Sequence, residues 1–258
     1  MADSPAPTPK EIFARAVEEG ERRLDQSLLE LVTTSFIAGF TIVFGIAAFG
    51  MVEAMVEPLG HGVATIAGAL AFGVGVVFLV VGRAELFNEN FFDPAAAVVS
   101  DDSRSFRSLV RLWTVTFVFN LVGGGLFAVV VTVDDVLPSG SMAVLQRVAT
   151  ESVARAPLTW FASGIVGGAL VTLLSFMLVG VNTAGSRITL AYVVGALLTL
   201  GPFDHVIVTA LHVVVGVLFG ASVGYAALGG MLVTVTAGNF VGGLGLVTLT
   251  HVVQAESA

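Results

Sequence analysis

The chain has 258 residues, of which 56% are hydrophobic and 12% charged, and its mean hydropathy is +0.96. A soluble domain carries about 25% charged residues, so this composition excludes an ordinary water-soluble fold. The absence of cysteine excludes disulfides and thiolate metal sites. The formal charge of -8 excludes no partner class by itself, because the acidity gathers in tails and loops.

Residues 1–10, with Pro5, Pro7 and Pro9 alternating and few apolar side chains, read as a disordered tail. Residues 11–30 hold nine charged side chains, so no cleavable leader is expected and the first span directs insertion itself. Ile12, Phe13, Ala16, Val17, Leu24 and Leu28 are spaced for an amphipathic helix, either on the membrane surface or as a solvated leader. Long uncharged runs follow: Leu31–Val52, Gly62–Gly82, Leu112–Val133 and Ala156–Ser186 contain 22, 21, 22 and 31 residues without a charge. About 20 apolar residues suffice for a helix to cross a bilayer core. The reading is six crossings, at 29–52, 62–100 (interrupted), 109–133, 158–181, 188–216 (interrupted) and 226–251, with a long loop at 134–157. The domain division is a tail and leader at 1–28, a transport domain at 29–252, and a short tail at 253–258.

Basic residues set the orientation. Lys10, Arg15, Arg22, Arg23, Arg104, Arg107, Arg111 and Arg187 fall on one side of this arrangement, and Arg147 and Arg155 on the other. Both termini are therefore expected in the cytoplasm of a multi-pass cell-membrane protein. The halves are alike. Asn-x-Val-Gly-Gly occurs at Asn120 and again at Asn239, with Gly39 and Gly164 lying 81 and 75 residues before them. Three spans per half is an odd number, so the second copy is inverted, with one broken helix in each half. Such repeats surround a central transport site.

Two polar clusters interrupt the apolar runs. The first is Arg83-Ala84-Glu85-Leu86-Phe87-Asn88-Glu89-Asn90, and the second is Pro202-Phe203-Asp204-His205. Pro202 removes a backbone donor and stops the helix. From topology alone the first cluster reads either as a surface loop or as a break inside the membrane; the second lies within an interrupted crossing. Intramembrane ionisable groups are costly and mark transport pathways.

Phe203-Asp204-His205-Val206-Ile207 resembles the Phe-Glu-His-Ser-Ile signature of formate/nitrite transporters. Glu85-Leu86-Phe87 is similar to that family's Glu-Leu-Phe, and Asn239-x-x-Gly242-Gly243 to its Asn-x-x-Gly-Gly. The three occur in the family's order, over residues 30–251. The resemblance implies an all-α, aquaporin-like membrane fold, a homopentamer with one pore per protomer, and passage of a small monovalent anion such as formate or nitrite. It places His205 in mid-pore as a proton relay, beside Asp204, Phe203 and Thr209. It makes Glu85, Leu86, Phe87, Asn88 and Asn90 the broken-helix loop, with Asn120 and Asn239 as pore-lining support. Burial would favour the neutral form of His205, while an ionised Asp204 beside it would favour the charged one. The departures are Asp204 for Glu, Asn88 for Thr, Thr209 for Asn, and no vestibule lysine, since Lys10 is the only lysine; Arg155 is the nearby substitute. His212 reads as a helix-face residue, and His61 and His251 as interfacial. No cofactor, metal, enzymatic activity or nucleic-acid partner is expected; the surrounding partner is the lipid bilayer. The rival readings are a neutral-solute channel, against which the paired Asn-Pro-Ala motifs are missing, and a non-conducting sensor or scaffold retaining the fold.

Overall fold

The computed structural model describes residues 7–100 and 106–257, and every regular element among them is helical. The spans are α2 (Leu28–Val56), α3 (His61–Val81) continued by α4 (Asp93–Ser100), α5 (Phe106–Val131), α7 (Pro157–Val179), α8 (Ala184–Leu200) continued by α9 (Val206–Leu218), and α10 (Tyr225–Phe240) running through a π-helical stretch into α11 (Leu249–Glu256). Five of these segments are long and apolar enough to cross alone, while α8 and α9, with 17 and 13 residues, make a crossing jointly. The protein is thus an integral membrane protein of six crossings in two inverted repeats, with the second and fifth helices broken. Val233 and Leu126, 72% and 59% exposed, belong to an outer apolar surface that suits hydrocarbon rather than water.

The pairing of spans shows the repeat. Helix α2 packs on α5, and α7 packs on α10. In the first pair a side chain at Gly39 would strike the backbone of Asn120 and Gly124; in the second, one at Gly168 would strike the backbone of Asn239. Small residues permit this approach, as is usual between membrane helices.

Three expectations are corrected. Pro9 and Lys10, read as part of a disordered tail, are helical: α1 spans Pro9–Leu24 and Thr8 caps it. Thr8 and Glu11 form a reciprocal capping box, with Pro9 in the first turn, a start signal present in the sequence. Residues 1–6, and Arg104 of the basic count, lie outside the described residues. Second, α1 does not stand as a free solvated leader; it docks on α4 and α7 with Ala16, Gly20, Arg23 and Leu24 buried, and it also touches α11. Both ends of the chain therefore share one face, called the leader face below. Third, 134–157 is not a loop throughout: Ser141–Ala154 forms helix α6, which packs on α9. Its inward residues Val144, Leu145, Ala149 and Val153 follow the helical period.

Candidate functional site

Each broken helix is held open by an asparagine from the last span of its own half. Asn120 donates Nδ2–H to the carbonyls of Ser35 (2.8 Å) and Glu85 (2.9 Å), and its Oδ1 accepts from the backbone N–H of Phe87 at 3.0 Å. Asn239 repeats the pattern: Nδ2–H donates to Gly164 (2.8 Å) and Asp204 (2.7 Å), and Oδ1 accepts from Val206 N–H at 2.9 Å. A broken helix leaves backbone groups without partners in a region that lacks water. One carboxamide satisfies three of them at each break. Both asparagines are fully buried, so the structure places them as clamps behind the breaks.

The first break turns at Arg83, which has a left-handed φ of 51°, and then passes through a 3-10 turn at Phe87–Phe91. Hydroxyls of the second half satisfy its carbonyls. Thr172 donates to Asn88 O at 3.3 Å, and Thr248 donates to Phe91 O at 3.1 Å. Leu86 and Phe87 are buried, with the Phe87 ring edge-on to Phe91 at 5.0 Å. Asn90 bonds Leu86 O at 3.1 Å and accepts from Arg23 at 2.9 Å. Arg23, on α1, is buried among carboxylates, with Glu85, Glu89 and Asp93 at 3.5, 3.6 and 3.6 Å. In α1, burial opposes the charge of Glu19, but hydrogen bonding to Arg22 and the charge of Arg23 hold its carboxyl at about 2. That pairing is complete above the ordinary carboxylate range and is lost only as pH falls toward 2.

Two cavities approach the breaks from opposite faces. The leader-face cavity measures about 220 Å³ and is lined by Glu85, Glu89 and Asp93 together with Arg15, Arg22, Arg23, Arg83 and Arg187. The opposite cavity measures about 380 Å³ and is lined by Phe203, Asp204, Thr209, His212, Arg147 and Arg155 among others. At its floor Asp204 is fully engaged. Arg155 bonds Oδ1 at 2.6 Å, Thr209 Oγ1 donates to the same oxygen at 3.0 Å, and Ser163 donates to Oδ2. Three donors engage the two oxygens of Asp204, and no hydrogen bond joins it to His205 among the described residues. Arg155 lines this cavity while paired with Asp204, and Thr209 holds the same oxygen from α9.

His205 is fully buried and lines neither cavity. It caps α9: its Nδ1 accepts from Val208 N–H at 3.4 Å, which puts the ring proton on Nε2. Nε2 has no hydrogen-bond partner. His212, read from sequence as a helix-face residue, faces the opposite cavity, with its ring stacked on Phe72 at 5.7 Å and Nδ1 bonded to Val208 O. His61 lines the same cavity, and His251 packs on Phe176 at 3.9 Å. The sequence reading missed Ser163, Thr172 and Thr248. Each is an unremarkable hydroxyl within an apolar helix; contacts across the repeat reveal Thr172 and Thr248, and the contact with Asp204 within the second half reveals Ser163.

Comparison with known proteins follows this geometry. A family model described as "Formate/nitrite transporter" matches residues 10–253. The "Inner membrane protein YfdC" of Escherichia coli (strain K12) is 22% identical over 197 residues, or 76% of this chain; the chain spans 62% of that relative's length. A "Probable formate transporter" of Methanothermobacter thermautotrophicus is 26% identical over 261 residues, 93% of this chain and 92% of the relative. A solved structure titled "Pentameric formate channel with formate bound" has a TM-score of 0.71 at 20% identity, covering 88% of this chain and 97% of that one.

Proposed function

Because the chain belongs to the formate/nitrite transporter family, matched over residues 10–253, we propose that it carries a small weak-acid anion of the formate kind and that this anion crosses the buried midsection as its protonated acid. The observation that carries the reading is the unpartnered Nε2–H of His205, fully buried beside Asp204 and Val208, which line the opposite cavity. A buried donor without a partner costs about 1–3 kcal/mol, and an arriving anion supplies the acceptor.

The chemistry follows from the surroundings. Arginines in both cavities attract the anion and offer charge-assisted hydrogen bonds in place of its hydration shell. An isolated charge in the buried midsection is costly. Imidazole shuttles protons near neutral pH. A proton and an anion arriving together form an imidazolium–anion pair, in which neither charge stands alone. Nδ1 takes up the arriving proton in place of its bond from Val208 N–H, Nε2 gives its proton to the anion, and the neutral acid leaves by the other cavity. Return of the Nδ1 proton to Nε2 restores the resting ring. One proton and one anion enter and one acid molecule crosses.

In proteoliposomes, formate uptake should rise as external pH falls, since proton and protonated acid are both more abundant. Uptake that is independent of pH would overturn the reading. The pentameric relative and the basic-residue count support two further proposals: a homopentamer, and both termini in the cytoplasm. Cysteine placed at Ser186 should then be labelled only from the cytoplasm, and at Ser139 only from outside, in a particle of five-protomer mass. Reversed labelling or a stable monomer would contradict them.

A further inference from the structure

A groove on the outer apolar surface reaches the first break. It lies between α5 and α10, measures about 350 Å³, and is lined by Phe87, Trp113, Thr114, Phe117, Thr236 and Phe240 among others. Thr114 and Thr236 are its smallest lining side chains and leave room between the rings. Phe87 belongs to the turn that breaks the second crossing, and Trp113 donates Nε1–H to Asn90 O of the same turn at 2.9 Å. One wall of the groove is thus part of the break itself. The groove also has a charged end. Along α5, Arg107, Arg111, Thr114 and Val118 recur at intervals of four, three and four, so they share one helix face. Arg107, Ser108 and Arg111 line a hollow with Leu24 and Asp25 at the leader-face end. Among the described residues, two arginines against one aspartate leave one net positive charge there. Arg111 donates to the carbonyls of Leu24 (2.8 Å) and Gln26 (3.0 Å), and its Nε–H has no hydrogen-bond partner among the described residues. Neither the groove nor its charged end shares a lining residue with the two polar cavities.

We propose that this groove holds one acyl chain of an anionic phospholipid from the leader-face leaflet, with the headgroup phosphate at Arg107 and Arg111. The dimensions agree. Arg107 to Val118 spans about 16 Å along a helix, and one leaflet of a bilayer core is about 15 Å deep. A row that begins in basic side chains and continues as an apolar groove through one leaflet matches a phospholipid from head to tail. Val110 and Val118 on the rim are 43% and 44% exposed, so the chain enters sideways from the bilayer. Once seated, it adds dispersion contacts to Phe87 and Trp113 and braces the turn they hold. The inference goes beyond anion transport, because it couples the first break to the lipid composition of one leaflet.

The chain has two tryptophans, which makes the test optical. Trp113 lines the groove, whereas Trp160 is buried in α7. The purified protein is placed in vesicles of phosphatidylcholine and phosphatidylglycerol, with bromine on the chains of one lipid or the other. Bromine quenches the fluorescence of a ring it touches. Brominated chains should quench wild type and spare Trp113→Phe. Phosphatidylglycerol should occupy the groove in about fivefold preference to phosphatidylcholine, the scale expected of one net positive charge at a membrane surface. Arg107→Gln should remove that preference, and Arg111→Gln repeats the measurement in case the first variant folds poorly. Thr114→Leu, which fills the groove, should weaken quenching by either lipid. Equal quenching by the two lipids in wild type, or a preference kept in both arginine variants, would overturn the proposal. Fluorescence untouched by either brominated lipid would also overturn it, by showing the groove covered by protein such as a second copy of the chain.

Discussion

His205→Asn should leave a folded protein that has lost net acid uptake by about 100-fold or more, the usual scale for removing a positioned proton-transfer group. The fold survives because His205 caps α9 through Nδ1 and Val208 N–H, and asparagine is among the best residues for that position. The substitution removes the one thing asparagine cannot supply, a ring nitrogen that takes up and releases a proton. His212→Asn is the matched control. It lies two turns along the same helix, facing the opposite cavity, and its Nδ1 is already bonded to Val208 O. Its loss should be several-fold at most. Labelled formate uptake across a tenfold range of external proton concentration separates the two. Equal loss in both variants would point to packing of α9, and full activity of the His205 variant would remove the proton transfer.

Asn239→Leu should have the largest effect on the fold itself. The side-chain volume is kept, but Val206 N–H loses its partner and the carbonyls of Gly164 and Asp204 each lose one. Each buried polar group left unmet costs about 1–3 kcal/mol, so a loss of about 4 kcal/mol or more is expected, at the extreme for single substitutions. The same change at Asn120 strips Phe87 N–H, Ser35 O and Glu85 O, and should cost a similar amount. Melting of the purified variants in one detergent checks this. A shift of a degree or two at either position would mean that the asparagines do not hold the breaks.

These residues also show how far the sequence carries. The spans were legible because hydrocarbon demands long uncharged runs, and the second break because Pro202 cannot continue a helix. The two Asn-x-Val-Gly-Gly motifs pointed to a repeat, and the structure gives the physical reason: asparagine clamps a break while glycines admit the neighbouring backbone. What stayed hidden depends on partners far along the chain. Asp204 is satisfied by Arg155 and Ser163, 49 and 41 residues away, and no local pattern announces those pairs. Arg23 lies in a charged stretch that reads as solvated, yet it is buried because three carboxylates of the first break surround it. Helix α6 was missed because its inward stripe lies between turn-forming residues, Pro138 and Gly140 before it and Pro157 after, in a segment whose charges suggested a loop.

The central claim is that a proton crosses with the anion as one neutral molecule. The direct measurement is made on planar bilayers and vesicles holding the purified protein, with a formate gradient as the only driving force. Membrane current and the pH of the trapped volume are recorded together. Neutral-acid passage predicts rapid internal acidification that matches formate uptake one for one, without a current, and loss of that acidification in His205→Asn. A formate-dependent current with no internal acidification would show that the bare anion crosses, and would contradict the account.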